Sequence, residues 1–127
     1  MTYKAEIPYG AYWSTPFARW QGSFANLHSI EFAAHVAKSE LAKRNIDPKI
    51  FDYGALGFSV PQKHSFYGLP WLTGLIGAGQ AGGPTLMQAC ATGVRTLLAA
   101  VQEIEVSLCS TALVGNCDRT SNGPHLY

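Results

Sequence analysis

The residue best placed for covalent chemistry is Cys90, in the run Met87-Gln88-Ala89-Cys90-Ala91-Thr92-Gly93-Val94. The short apolar stretch before it reads as a strand and the amphipathic stretch after it as a helix, so the thiol falls at a strand-to-helix turn. The first amides of a helix have no partners within it, and the aligned peptide dipoles place partial positive charge there. Both favour the thiolate, which is the attacking species. Ala89, Ala91 and Gly93 are small enough to let a thioester reach the sulfur and to let backbone N–H groups point at a developing oxyanion. A buried cysteine that only fills space is the competing reading.

A second motif competes for attention. Gly77-Ala78-Gly79-Gln80-Ala81-Gly82 spells G-x-G-x-x-G, the turn that carries a dinucleotide pyrophosphate onto a helix N-terminus. That turn needs a strand before it and a helix after it. Here Pro70 and Trp71 predict a helix before it, and Pro84 to Gln88 a strand after it, so NAD binding is disfavoured. The run reads instead as a glycine-rich helix exit packed under the nucleophile turn. The histidines His28, His35, His64 and His125 lie in no motif that sets one beside Cys90 as a base. Cys109 and Cys117 read as packing residues flanking a buried strand. Three cysteines without close pairs predict neither a disulfide framework nor a metal site.

The elements that must position Cys90 follow from periodicity. Ser29 is expected to cap a helix over Ile30 to Arg44, with Ile30, Ala33, Ala34, Ala37 and Leu41 on one apolar face. Ile50 to Val60 reads as a strand closing at Pro61, and Pro70 starts a short helix that the glycines from Gly77 end. Pro84 to Gln88 reads as the strand that delivers Cys90. The next helix shows Val94, Leu97, Leu98, Val101 and Ile104 as its buried face, and Thr111 to Val114 reads as a strand buried on both sides. Strands alternating with helices imply an α/β fold with a mostly parallel layered sheet.

Composition narrows the function classes. The chain has 127 residues, 47% of them apolar and 13% charged, enough for one domain with a sizeable core and a surface poor in charge. Such a surface suits a large interface. A net charge of +1 without a Lys or Arg run gives no footprint for nucleic acid or an anionic membrane. No stretch is long and apolar enough for a membrane span, and the N-terminal residues lack a signal-peptide core, so a cytoplasmic location is expected.

Three separated stretches resemble one family, the thiolases, which make or cleave 3-oxoacyl-CoA through a cysteine nucleophile. Ser14-Thr15-Pro16-Phe17-Ala18-Arg19-Trp20-Gln21-Gly22-Ser23 resembles the early R-T-P-hydrophobic-G-x-x-x-G-S segment that leaves the family's first strand. Met87 to Gly93 resembles the N-x-x-C-G-S-G nucleophile turn, and Gly115-Asn116-Cys117-Asp118-Arg119-Thr120-Ser121-Asn122-Gly123-Pro124 resembles the G-G-x-E-S-M-S-N-x-P segment. Ser14, Ala91-Thr92 and Asn116 to Arg119 depart from the family pattern, and the Ala-Cys-Ala turn also resembles 3-oxoacyl synthases. The resemblance implies a layered α-β-α half with a mixed sheet and helices, an incomplete domain spanning residues 1–127. It implies Cys90 as the acylated catalytic residue, coenzyme A thioesters as substrates with no bound cofactor, and a homo-oligomer as the default assembly.

The family's N-E-x-F, G-H-P and C-x-G motifs, which activate the nucleophile and supply most oxyanion donors, do not occur in this sequence. The chain therefore reads as the N-terminal part of a thiolase, from a truncated, proteolysed or split gene product. It would be inactive alone and would be completed by the rest of the protomer or by a complementary subunit. A 3-oxoacyl synthase-like condensing enzyme, or a non-catalytic piece that docks to a partner chain, is the alternative.

Overall fold

The computed structural model describes residues 3–124. His125 lies outside the described residues. Helix α1 (Ser29–Lys43) buries Ile30, Ala34, Ala37 and Leu41, which recur at helical spacing and form one stripe. Its N-cap is His28 rather than Ser29, which is the first helical residue. The His28 Nδ1 accepts the Ile30 N–H at 3.2 Å while its Nε2 meets the Lys63 carbonyl at 2.7 Å. Arg44, just past the helix, donates to the Gly10 carbonyl at 2.6 Å and pairs with Glu40, which ties the N-terminal segment down.

The expected strand over 50–60 is shorter. Pro48–Ile50 forms a 3-10 turn capped by Asp47, and strand β1 is Tyr53–Gly57. Helix α2 (Leu69–Ile76) starts with Pro70 in its first turn, where the missing N–H costs nothing, and ends at Gly77 in the left-handed region, φ +87°. Strand β2 (Thr85–Leu86), a 3-10 turn (Ala89–Ala91), helix α3 (Thr92–Glu105) and strand β3 (Ala112–Asn116) follow.

The sheet has the order β2-β1-β3, and both pairings are parallel. Side-chain alternation along β1 sets the layers. Gly54 faces Leu69 of α2 and Leu56 joins the core shared by α1 and α2, whereas Gly57 faces Thr92 and Thr96 of α3. The helix leaving β1 and the helix reaching β3 thus cover opposite faces, giving an α/β arrangement of three layers. Connections leave β1 toward β2 and return across to β3, so the sheet switches direction at the carboxyl ends of β1 and β3. Parallel sheets place ligands at such a switch.

The N-terminal segment and the face of α3 each have a physical cause. No strand precedes β1 among the described residues. The N-terminal segment is instead held at the far end of α3, where the Glu105 carboxylate accepts the Lys4 and Ala5 N–H groups at 2.7 and 3.0 Å. The buried face of α3 is also different from the one expected. Thr92, Thr96 and Ala100 face the sheet, while Val94 is 73% exposed and Leu97 and Leu98 point outward. The β1 surface beneath α3 is built from Ala55 and Gly57, and only small residues on α3 fit so close an approach.

Candidate active site

Cys90 is the middle residue of the 3-10 turn that links β2 to α3, and its side chain is exposed. The turn is held by four hydrogen bonds around the cysteine, one of them from the Thr92 backbone N–H to the Ala89 carbonyl. Ala91 N–H donates to the Gln88 carbonyl at 2.9 Å, Gln88 N–H donates to Thr92 Oγ1 at 2.8 Å, and the Thr92 hydroxyl donates to the Ala89 carbonyl at 2.7 Å. Ala89 takes φ +46°, a left-handed conformation that costs a non-glycine residue about 1–2 kcal/mol. No hydrogen bond from the Cys90 N–H is found among the described residues.

Beneath the turn the packing is close. A Cβ on Gly57 would overlap Asn116 Oδ1 and come within 2.5 Å of Thr92 Cγ2 and 2.8 Å of Thr96 Cγ2. Thr96 is fully buried, and its hydroxyl donates to Asn116 Oδ1 at 3.0 Å, which joins the second turn of α3 to the end of β3. At the same rim the Asp118 carboxylate accepts N–H groups of Ser59 and Val60, at 2.9 and 2.7 Å to one oxygen, and the Ser59 hydroxyl at 2.6 Å to the other. This clamp joins the segments that leave β1 and β3. Gln21 N–H donates to Ser121 Oγ at 2.6 Å, and Arg119 donates to the Leu27 carbonyl. The last of the three stretches thus touches the other two regions in turn, with Asn116 beside the start of α3 and Ser121 bonded to Gln21.

Other candidates lie elsewhere. The Gly77–Gly82 run is a helix exit, but it does not pack under the nucleophile turn. Gly82 bridges Tyr53 at the start of β1, at the opposite end of the sheet from Cys90. With a helix before the run and β2 after it, the run lacks the strand-turn-helix context that a dinucleotide needs. His28 is spent as a cap and packs against Trp71 with its ring tilted, while His35 and His64 are exposed. Burial pushes the Cys117 thiol up to about 11, and burial followed by the nearby Asp52 raises that of Cys109, so neither is suited to attack.

No three His, Cys, Asp or Glu side chains gather into a metal-binding group among the described residues. Two cavities, of about 420 and 390 Å³, lie beside Gln62 and Arg119 and beside Tyr9 and Arg44; neither is lined by Cys90. The sequence singled out Cys90 but not the groups that hold it. Asn116 and Asp118 show in the sequence only as departures from a motif, because their partners lie 20 and up to 59 residues away, whereas Thr92 bonds residues three and four positions before it.

Residues 11–127 match the family model described as the thiolase N-terminal domain. The chain belongs to the thiolase family. This thiolase domain is similar in structure to the acetyl-CoA acetyltransferase of Bacillus anthracis, with a TM-score of 0.77 and 17% identity over 87% of this chain and 28% of that one. The acetyl-CoA acetyltransferase of Syntrophomonas wolfei gives 0.73 and 26% identity over 89% and 29% of the two chains. Human mitochondrial 3-ketoacyl-CoA thiolase in complex with CoA gives 0.69 and 19% over 77% and 25%. No curated protein matches the sequence. The thiolase domain described here thus spans between a quarter and a third of the length of these neighbours. No helix among its described residues is long and apolar enough to cross a membrane.

Proposed function

We propose that this chain is the nucleophile-bearing part of a thiolase-type acyltransferase, in which Cys90 carries the acyl group between coenzyme A thioesters. The observation that carries the reading is an exposed thiol with an unpartnered amide beside it, at the carboxyl rim of a thiolase-family sheet. The Cys90 thiolate attacks the thioester carbonyl, the carbon–sulfur bond to coenzyme A breaks, and coenzyme A leaves as its thiol once protonated. The acyl group then passes to the carbanion of a second acyl-CoA or, in degradation, to free coenzyme A. Two such half-reactions give ping-pong kinetics. The Cys90 N–H is one oxyanion donor, and loss of a single such donor typically costs about 3 kcal/mol of barrier.

Completion by other polypeptide is part of the proposal. The outward face of α3, with Val94, Leu97 and Leu98, and the short coverage of the structural neighbours support a partner in the remainder of the protomer or in a complementary subunit. The chain alone is expected to have little or no transferase activity. The same apolar face favours a second reading, a docking piece in which Cys90 is inert. Incubation of the assembled protein with acetyl-CoA, followed by mass-spectrometric mapping, separates the two. Selective acylation of Cys90 supports transfer. Equal slow modification of Cys90, Cys109 and Cys117 supports docking without catalysis, and substantial turnover by the chain alone contradicts the need for a partner.

A further inference from the structure

The hydroxyl of Thr92 closes a ring around the nucleophile from a buried position. It accepts the Gln88 N–H at 2.8 Å and donates to the Ala89 carbonyl at 2.7 Å, so one oxygen joins the residues before Cys90 to the first residue of α3. Thr92 is 6% exposed and its methyl is wedged over Gly57, which leaves the side chain no freedom to trade these partners for water. Ala89 holds φ +46°, a conformation an alanine does not adopt unless the surroundings impose it, and its carbonyl accepts both the Thr92 backbone N–H and the Thr92 hydroxyl; only the hydroxyl also reaches the Gln88 N–H. With Gln88 and Ala89 engaged this way, Cys90 is left with its side chain exposed and its N–H unpartnered.

We propose that Thr92 is a positioning residue for acyl transfer, its hydroxyl fixing the turn so that the sulfur and the N–H of Cys90 present themselves together to a thioester. The inference rests on the reading of Cys90 as the acylated residue. The role needs one group that donates and accepts at once from a short side chain. Serine satisfies that requirement and valine, of the same shape as threonine, does not. Misplacement of a reacting group by about 1 Å costs up to about a hundredfold in rate, so loss of this oxygen should be visible kinetically even where the fold survives.

The test compares wild type, Thr92→Val and Thr92→Ser in the assembled protein, by the single-turnover rate of Cys90 acylation with acetyl-CoA and by hydrogen exchange at the Gln88 amide. The Val variant should acylate at least about tenfold more slowly and exchange the Gln88 amide faster, while the Ser variant stays within about threefold of wild type. Acylation of the Val variant at the wild-type rate, or failure of Ser to rescue, would overturn the role of Thr92 and leave Cys90 as the nucleophile. Absence of any acyl group on wild-type Cys90 would bring down the acyl-cysteine reading and this inference with it. Should the Val variant not fold, the wild-type Gln88 amide alone decides: exchange as fast as that of an exposed amide overturns the proposal.

Discussion

The closest packing around the nucleophile turn lies at Gly57, and its replacement by alanine tests whether that packing sets the position of α3. A Cβ there meets Thr92 Cγ2 at 2.5 Å and Thr96 Cγ2 at 2.8 Å and overlaps Asn116 Oδ1; carbon atoms in ordinary contact stand 3.5–4.0 Å apart. The intrusion is therefore about 1 Å on two sides at once, and no long flexible side chain is available to yield. Overpacking of this kind costs about 1–3 kcal/mol. For a domain of this size, at about 4 °C per kcal/mol, Gly57→Ala should melt about 4–12 °C below wild type by circular dichroism. Gly115→Ala supplies the control, because its Cβ would first meet Leu72 Cδ2 at 3.4 Å, an ordinary contact. The control should shift the melting temperature by less than about 2 °C, as surface-like substitutions do. Equal melting of the Gly57 variant and wild type would refute the claim that α3 is seated by this contact.

Three further outcomes follow from the same structure. Asp118→Ala leaves the Ser59 and Val60 N–H groups without their carboxylate and should cost about 1–2 kcal/mol, with faster hydrogen exchange confined to those amides; an unchanged exchange pattern would argue against the clamp. The Asp52 carboxyl is held below the usual carboxylate range by bonds from the Thr111 and Ser110 N–H groups, so its stabilisation is present above its unfolded value and fades as pH falls below about 4. Asp52→Asn should flatten the acid limb of the stability curve, and an identical limb would contradict that assignment. With the Cys117 thiol at about 11, alkylation there should rise about tenfold per pH unit through pH 8 to 10 and lag behind the exposed Cys90 at pH 8; equal rates would contradict its burial.

Legibility in the sequence followed the range of the interactions. Helix α1 is legible nearly to the residue because its stripe from Ile30 to Leu41 and its stop at Asn45 are local signals, yet its cap is His28 and not Ser29. His28 is an uncommon capping residue, and it is held in place by Lys63 and Trp71, far off in sequence. The strand-to-helix placement of Cys90 was also local and held. The face of α3 was not, since its apolar stripe is genuine but the sheet beneath it offers only Ala55 and Gly57, so Thr92, Thr96 and Ala100 turn inward instead. The glycine run was recognisable as a helix exit. Its position at the far end of the sheet depends on the pairing of Tyr53 with Gly82, which no window of sequence contains. The same holds for the Asp118 clamp and the Thr96–Asn116 contact, both closed between separate elements.

The central claim is that the Cys90 sulfur carries an acyl group in transit. A pulse-chase measures this directly: the assembled protein is mixed with isotopically labelled acetyl-CoA, quenched and digested, and a parallel sample is chased with free coenzyme A before quenching. The account predicts label on the Cys90 peptide alone at short times and its return to coenzyme A during the chase. Label that never reaches Cys90, or that stays there through the chase, would contradict it.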